Sequence, residues 1–186
     1  ESIAKERNFE GGAAVIMDVS DGNILAMVSV PEYSSKVLSE GSPANLINGY
    51  INDKNKPFIN RAISGLYAPG SVVKPFVALA ALNEGTISPE KKILSTGSIS
   101  ITNPFFPDKK TIFKDWKAHG WVDMRQALAV SSDVYFYETG GGFEDIKGLG
   151  INKIYEYAKK FGLGEKTGID LLGEAEGTVP SPQVKE

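Results

Sequence analysis

The chain has no cysteine, which excludes disulfides, thiol catalysis and cysteine-ligated zinc. It has one histidine, His119, so a histidine-rich metal site is not expected. No apolar run approaches the ~20 residues needed to cross a bilayer, and no signal-peptide pattern is present. Basic residues are not in excess: 20 Lys and Arg stand against 23 Asp and Glu, which leaves no general nucleic-acid signal. There is no internal repeat and no low-complexity tract. The 186 residues are enough to bury a real core, as one domain or a large part of one.

The stretch that organises the rest is Tyr67-Ala68-Pro69-Gly70-Ser71-Val72-Val73-Lys74-Pro75-Phe76, running into apolar Val77–Leu82. Pro-Gly breaks the backbone, and a helix is expected from about Ser71 to Glu84, closed by Gly85. Pro75 has no amide proton, so it belongs in or near the first turn. The helix is apolar on almost every side, a pattern that predicts a buried helix. Ser71 and Lys74 lie three apart and so share one helical face. A hydroxyl beside an amine is a nucleophile beside a potential base. Apolar burial and the positive end of the helix dipole both favour loss of the lysine proton. The tetrapeptide alone has a plainer reading, in which Ser71 is an N-cap and Lys74 snorkels to the surface.

Elsewhere the chain is punctuated clearly. Gly12–Val19 and Ile24–Val30 flank Ser20-Asp21-Gly22-Asn23, a strong hairpin signal. Glu32–Leu66 reads as polar and irregular, and Thr86–Gly120 as loop-rich with one strand-like stretch, Ser98–Thr102. His119 is expected at the surface or in a loop. Val122–Val130 reads as a helix with Asp123 near its start, and Val134–Tyr137 as another ending at Gly140-Gly141-Gly142. A third is capped by Asn152, carries the stripe Ile154, Tyr155, Ala158, Phe161, and stops at Gly162. Residues 165–186 read as loop.

Ser131-Ser132-Asp133 is the second polar cluster in an apolar context. It reads either as the cap of the helix through Tyr137 or as a second hydroxyl and a polar partner for the Ser71–Lys74 pair. Ser-x-x-Lys followed by Ser-x-Asn or Ser-x-Asp is a signature of serine acyltransferases that act on penicillin-like amides.

On these residues the chain resembles the transpeptidase domain of a class B penicillin-binding protein, closest to the elongation-type (type 2) branch. The matching stretches run in family order from Gly12: Gly12–Asp18, Ile24–Pro31, Asn60-Arg61-Ala62, Tyr67–Pro75, Ala127–Phe136, Phe161–Gly164 and Thr167–Leu171. Asp133 stands where the wider family has asparagine and is similar to the elongation branch. The resemblance implies an α+β serine-transpeptidase (β-lactamase-like) fold, present in part. Residues 12–31 would be a hairpin of its sheet, 71–84 the central helix and 86–164 a helical subdomain. Residues 165–186 would lead toward the last strands, which are expected beyond Glu186.

It also implies roles. Ser71 would attack the carbonyl of a D-Ala-D-Ala peptide bond, Lys74 would take its proton, and Ser131 would relay a proton to the departing D-alanine. Asp133 would hold Lys74 and, with Ser71 and Ser132, contact substrate. The backbone amide of Ser71 would be one oxyanion donor. An amine of a neighbouring peptidoglycan stem would resolve the acyl-enzyme, and penicillins would acylate the same serine. No cofactor and no metal are implied. The implied partners are peptidoglycan stem peptides, β-lactam antibiotics, and the glycan polymerase and scaffold proteins of the elongation machinery. The implied place is the periplasm or outer face of the inner membrane, through an anchor upstream of Glu1.

The family's third motif is Lys-(Ser/Thr)-Gly on an edge strand. Lys166-Thr167-Gly168 spells it, but follows directly on a helix end with no strand pattern before it, and is read as a decoy. A serine β-lactamase, a penicillin-sensing receptor domain, or a fragment inactive without the third motif would share both polar clusters.

Overall fold

The computed structural model describes residues 2–103 and 105–185; Glu1, Pro104 and Glu186 lie outside the described residues. The chain divides into two compact units, Glu1–Tyr67 with Gly168–Glu176, and Ala68–Thr167 with Gly177–Glu186.

In the first unit a short helix, α1 (Ser2–Glu6), precedes the expected hairpin of β1 (Gly12–Met17) and β2 (Ile24–Val30). The strands pair antiparallel from Gly12 opposite Val30 to Met17 opposite Ile24, with an irregularity at Ile16/Met17. Asp18 N–H bonds the Asn23 carbonyl at 2.8 Å, and Gly22 takes the positive φ of 80° that the turn requires. Among the described residues no third strand joins this pair, and Val15, Ile16 and Leu25 remain exposed.

The stretch expected to be irregular contains two helices, α2 (Ser35–Glu40) and α3 (Ala44–Asn52). The Ser34 hydroxyl caps the first by accepting from Val37 N–H, Gly41 closes it in the left-handed conformation, and Tyr33, Tyr50 and Phe58 pack ring on ring beside them. Local capping and an aromatic cluster thus order a segment whose composition is that of a loop. Asn60-Arg61-Ala62 is stitched to the hairpin, because the Ser29 hydroxyl donates to Ile59 O at 3.1 Å and accepts from Arg61 N–H at 3.0 Å. The Arg61 guanidinium also bonds the carbonyls of Asn55, Lys56 and Ile59. A Cβ at Gly11 would meet that guanidinium at 2.6 Å, which explains the glycine there.

The second unit opens with a 3-10 turn, Gly70–Val73, before α4 (Lys74–Asn83). Pro75 sits in the first turn of α4, as its missing N–H demands. The helix therefore begins at Lys74 rather than Ser71, and Ser71 does not act as its side-chain cap. After α4 come β3 (Ile93–Ser95), β4 (Ser98–Thr102), β5 (Lys110–Lys114) and β6 (Gly120–Val122), then α5 (Met124–Ala129), α6 (Asp133–Gly141) and α7 (Gly150–Lys160). The strands form two antiparallel ladders, β3 with β6 and β4 with β5. The region expected to be loop-rich before α5 keeps its loops and the expected strand at Ser98–Thr102, and adds three short strands that complete two small sheets. Asp123 caps α5 in a reciprocal capping box with Gln126.

The core gathers Ala78, Ala80 and Ala81 of α4 against Ile93, Val122, Ala127, Val134, Tyr135 and Tyr157. Small alanines let α4 sit close to α6 and α7. The expectation that α4 is buried all round is not met. Val72 in the preceding turn and Leu79 and Leu82 of the helix are exposed, because the helices packed on α4 take only its alanine side.

Glu138, on the core side of α6, is buried, and burial, then the Glu144 and Asp145 carboxylates, push its own carboxyl up to about 7. An unfolded glutamate titrates near 4.3. The folded chain holds this proton to higher pH, so the contribution is full at low pH and lost as pH rises through about 7. Glu138→Gln should become more stable relative to the parent by about 1–3 kcal/mol between pH 5 and pH 8. Urea midpoints at the two pH values check this, and an unchanged difference would contradict it.

Candidate active site

The site is built where the start of α4 meets the α5–α6 junction. Lys74 Nζ donates to the Ser131 carbonyl at 2.7 Å, to Ser131 Oγ at 2.9 Å and to Asp133 Oδ1 at 2.6 Å. An ammonium group has three N–H donors, and all three are used. The lysine side chain is only 9% exposed, whereas Asp133 is 30% exposed, so the pair is buried on the lysine side and open on the acid side. The ring of Phe136 lies 5.8 Å from Nζ. Burial of a cation in such a place requires this degree of pairing.

The backbone makes the arrangement possible by turning sharply at Ser131, whose φ of 55° is unusual for a side-chain-bearing residue. The bend is tied back to α5 by Ser131 N–H on Leu128 O at 3.2 Å and Ser132 N–H on Ala127 O at 2.9 Å. It sends Ser131 and Asp133 toward Lys74 and Ser132 the other way.

Ser132 is fully buried and caps α6 by accepting from Tyr135 N–H. Its hydroxyl contacts Ser95 Oγ at 3.3 Å and Asp115 Oδ2 at 2.9 Å. The Ser132 hydroxyl is thus committed inside the protein. Ser71 lies in the 3-10 turn one step before α4, exposed, and its carbonyl accepts Lys74 N–H. Lys74 spends its donors on Ser131 and Asp133, so no Lys74 N–H reaches the Ser71 hydroxyl. Lys166-Thr167-Gly168 lies in no strand.

Two residues that sequence reasoning passed over stand behind this bend. Asp115 has a side chain with no exposure, and His119, expected at the surface or in a loop, lies in a loop with its side chain 2% exposed. His119 Nε2 approaches Asp115 Oδ1 to 3.4 Å without hydrogen-bond alignment. Burial alone would raise the Asp115 carboxyl. Bonds from Val134 N–H, the Ser132 hydroxyl and Trp116 N–H, with His119 nearby, outweigh it and hold the group below its usual value. The available signal was an aspartate four residues before the chain's one histidine, with Trp116 between them.

The polar residues thus stand in the order Ser-x-x-Lys then Ser-x-Asp, on a unit preceded in the chain by an antiparallel hairpin. The chain belongs to the penicillin binding protein transpeptidase domain family, which matches residues 12–186. Peptidoglycan D,D-transpeptidase MrdA of Haemophilus influenzae is 34% identical over 177 residues, covering 94% of this chain and 26% of the relative. The penicillin-binding protein PBP2 of Helicobacter pylori superposes with a TM-score of 0.82 at 32% identity, covering 98% of this chain and 33% of that one. The same protein in complex with MreC gives a TM-score of 0.82 at 32% identity, over 98% of this chain and 32% of that one. The similarity runs to the PBP2, elongation-type branch, and the transpeptidase fold expected from the sequence is the fold found. The chain spans about a quarter of the length of the curated relatives it matches.

Proposed function

We propose that this chain supplies the nucleophile-bearing part of a D,D-transpeptidase that cross-links peptidoglycan. The observation that carries the proposal is the tripod on Lys74, made by Ser131 and Asp133, beginning three residues after an exposed serine.

To take the proton of Ser71, Lys74 must act as the neutral amine, any extra proton having first been released to solvent. A neutral amine keeps two N–H donors and gains a lone pair. Of its three acceptors only the Ser131 hydroxyl carries a hydrogen to return. Neutral Lys74 can therefore donate to Asp133 and the Ser131 carbonyl while accepting from Ser131, so Ser131 lies on the proton path. Ser71 Oγ attacks the carbonyl of the penultimate D-alanine as its proton passes to Lys74. The C–N bond then breaks, Ser131 gives its proton to the departing D-alanine nitrogen, and Lys74 refills Ser131. A stem-peptide amine attacks the resulting ester by the reverse proton route, forming the cross-link and freeing Ser71. A penicillin opens its ring on the same serine and remains attached. Ser71 N–H at the start of the turn is one oxyanion donor in this reading.

The relatives named as peptidoglycan D,D-transpeptidases support this activity, and the PBP2–MreC complex supports a scaffold partner of that kind. A glycan polymerase partner and an anchored, periplasmic placement belong to the same proposal. No helix among the described residues is long and apolar enough to cross a membrane.

Intact-mass analysis of the full-length protein after incubation with benzylpenicillin tests the proposal. One added penicillin mass is expected, and an unchanged mass would overturn it. Lys166→Ala should leave the acylation rate within about twofold, since an exposed charge outside the site contributes little. Abolished acylation in that variant would make Lys166-Thr167-Gly168 the third motif after all.

A further inference from the structure

The Ser131 bend is gripped from behind by a single loop, and we infer that Asp115 at the head of that loop is a positioning residue for the reaction. It holds the first turn of α6 so that Ser131 and Asp133 meet Lys74. The inference rests on the function proposed above.

Four observations carry it. Asp115 Oδ2 accepts from Val134 N–H at 3.0 Å and from the Ser132 hydroxyl at 2.9 Å, so one carboxylate binds the residues on either side of Asp133. These groups belong to the N-terminus of a nine-residue helix, where free N–H groups and the dipole favour an anion. Trp116, the next residue, donates its indole N–H to Val130 O at 3.3 Å, immediately before the bend. Neighbouring residues of one loop therefore clamp the entry and the exit of a turn that a non-glycine residue adopts reluctantly.

The loop is itself fixed to the small sheets. Asp115 N–H bonds Gly97 O at 2.8 Å, His119 N–H bonds Ser95 O at 3.0 Å, and Ser95 Oγ reaches Asp115 Oδ2 at 3.3 Å. The end of β3 and the link from β3 to β4 thus anchor Asp115, and through it the Lys74 tripod. Asp115 touches neither Lys74 nor Ser71 through any of these bonds, so its effect passes through Ser131 and Asp133.

The direction of the polar bonds explains why an acid is needed. Asp115 receives hydrogens at both oxygens, from Ser132 and Val134 on Oδ2 and from Trp116 N–H on Oδ1. An asparagine would have to point its NH2 at one of these donors. Asp115→Asn is nearly the same size, so it tests the bonds and not the packing.

The test is a double-mutant cycle on the second-order rate of acylation by a fluorescent penicillin in the full-length protein. Asp115→Asn alone should slow acylation by about tenfold or more, and by less than about threefold when added to Asp133→Asn. Equal losses in the two backgrounds would mean that Asp115 only supports the fold, and would overturn the inference. Ser132→Ala removes the hydroxyl between Asp115 and the α6 cap. It should show the same coupling with a loss of about threefold, so the comparison survives if Asp115→Asn does not fold. No loss in Ser132→Ala would also count against the inference. Failure of the parent to acylate, or acylation of Ser71→Ala, would instead overturn the proposed function beneath it.

Discussion

Ser71→Ala in the full-length protein is expected to form no covalent penicillin adduct, a loss of more than about 10³-fold in acylation rate. The hydroxyl is exposed, and no Lys74 N–H is bonded to it. Its removal creates no cavity and strips no partner from a buried group. The melting temperature should therefore stay where it is, since surface changes of this kind stay within about 0.5 kcal/mol. Lost acylation with unchanged stability separates a nucleophile from a structural serine. A persistent adduct in Ser71→Ala would place the nucleophile elsewhere.

Lys74→Arg is expected to be nearly as damaging, slowing acylation by about 10²–10⁴-fold. Charge is kept, so any role that needs only a cation would survive. Arginine does not give up its proton at working pH, and its flat fork cannot reproduce the tripod on the Ser131 carbonyl, Ser131 Oγ and Asp133 Oδ1. Penicillin labelling of Lys74→Arg against time measures the effect. A rate within threefold of the parent would show that Lys74 acts as a fixed positive charge and not as a base.

Much of this site was legible because the signals are local. Pro69-Gly70 and Pro75 limit where α4 can begin, and the Ser71–Lys74 spacing puts both residues on one turn. The Asp-Gly hairpin and the Gly-terminated α7 are equally local, and all three follow from punctuation by residues with restricted or permissive backbones.

What was not legible depends on distant parts of the chain. Asp115 meets Ser132 and Val134 across 17 and 19 residues, and no periodicity in a loop announces such a contact. The strands β3 and β6 are three residues long, too short to show a period. Nor could adjacency decide which of Ser131, Ser132 and Asp133 faces Lys74. The positive φ at Ser131 breaks the helical spacing, and with it any rule that assigns faces by counting. The exposure of Leu79 and Leu82 escaped notice for a related reason. An all-round apolar pattern says that a helix is suited to burial on every side, and not which sides its own neighbours cover.

The central claim is that Ser71, followed by a lysine held on Ser131 and Asp133, is the acylated residue. Proteolysis and tandem mass spectrometry of the penicillin-treated full-length protein test it most directly. The account predicts the penicilloyl group on the peptide containing Ser71, and there alone. The same group on Ser131, on Ser132, or on a peptide outside Tyr67–Pro75 would contradict it.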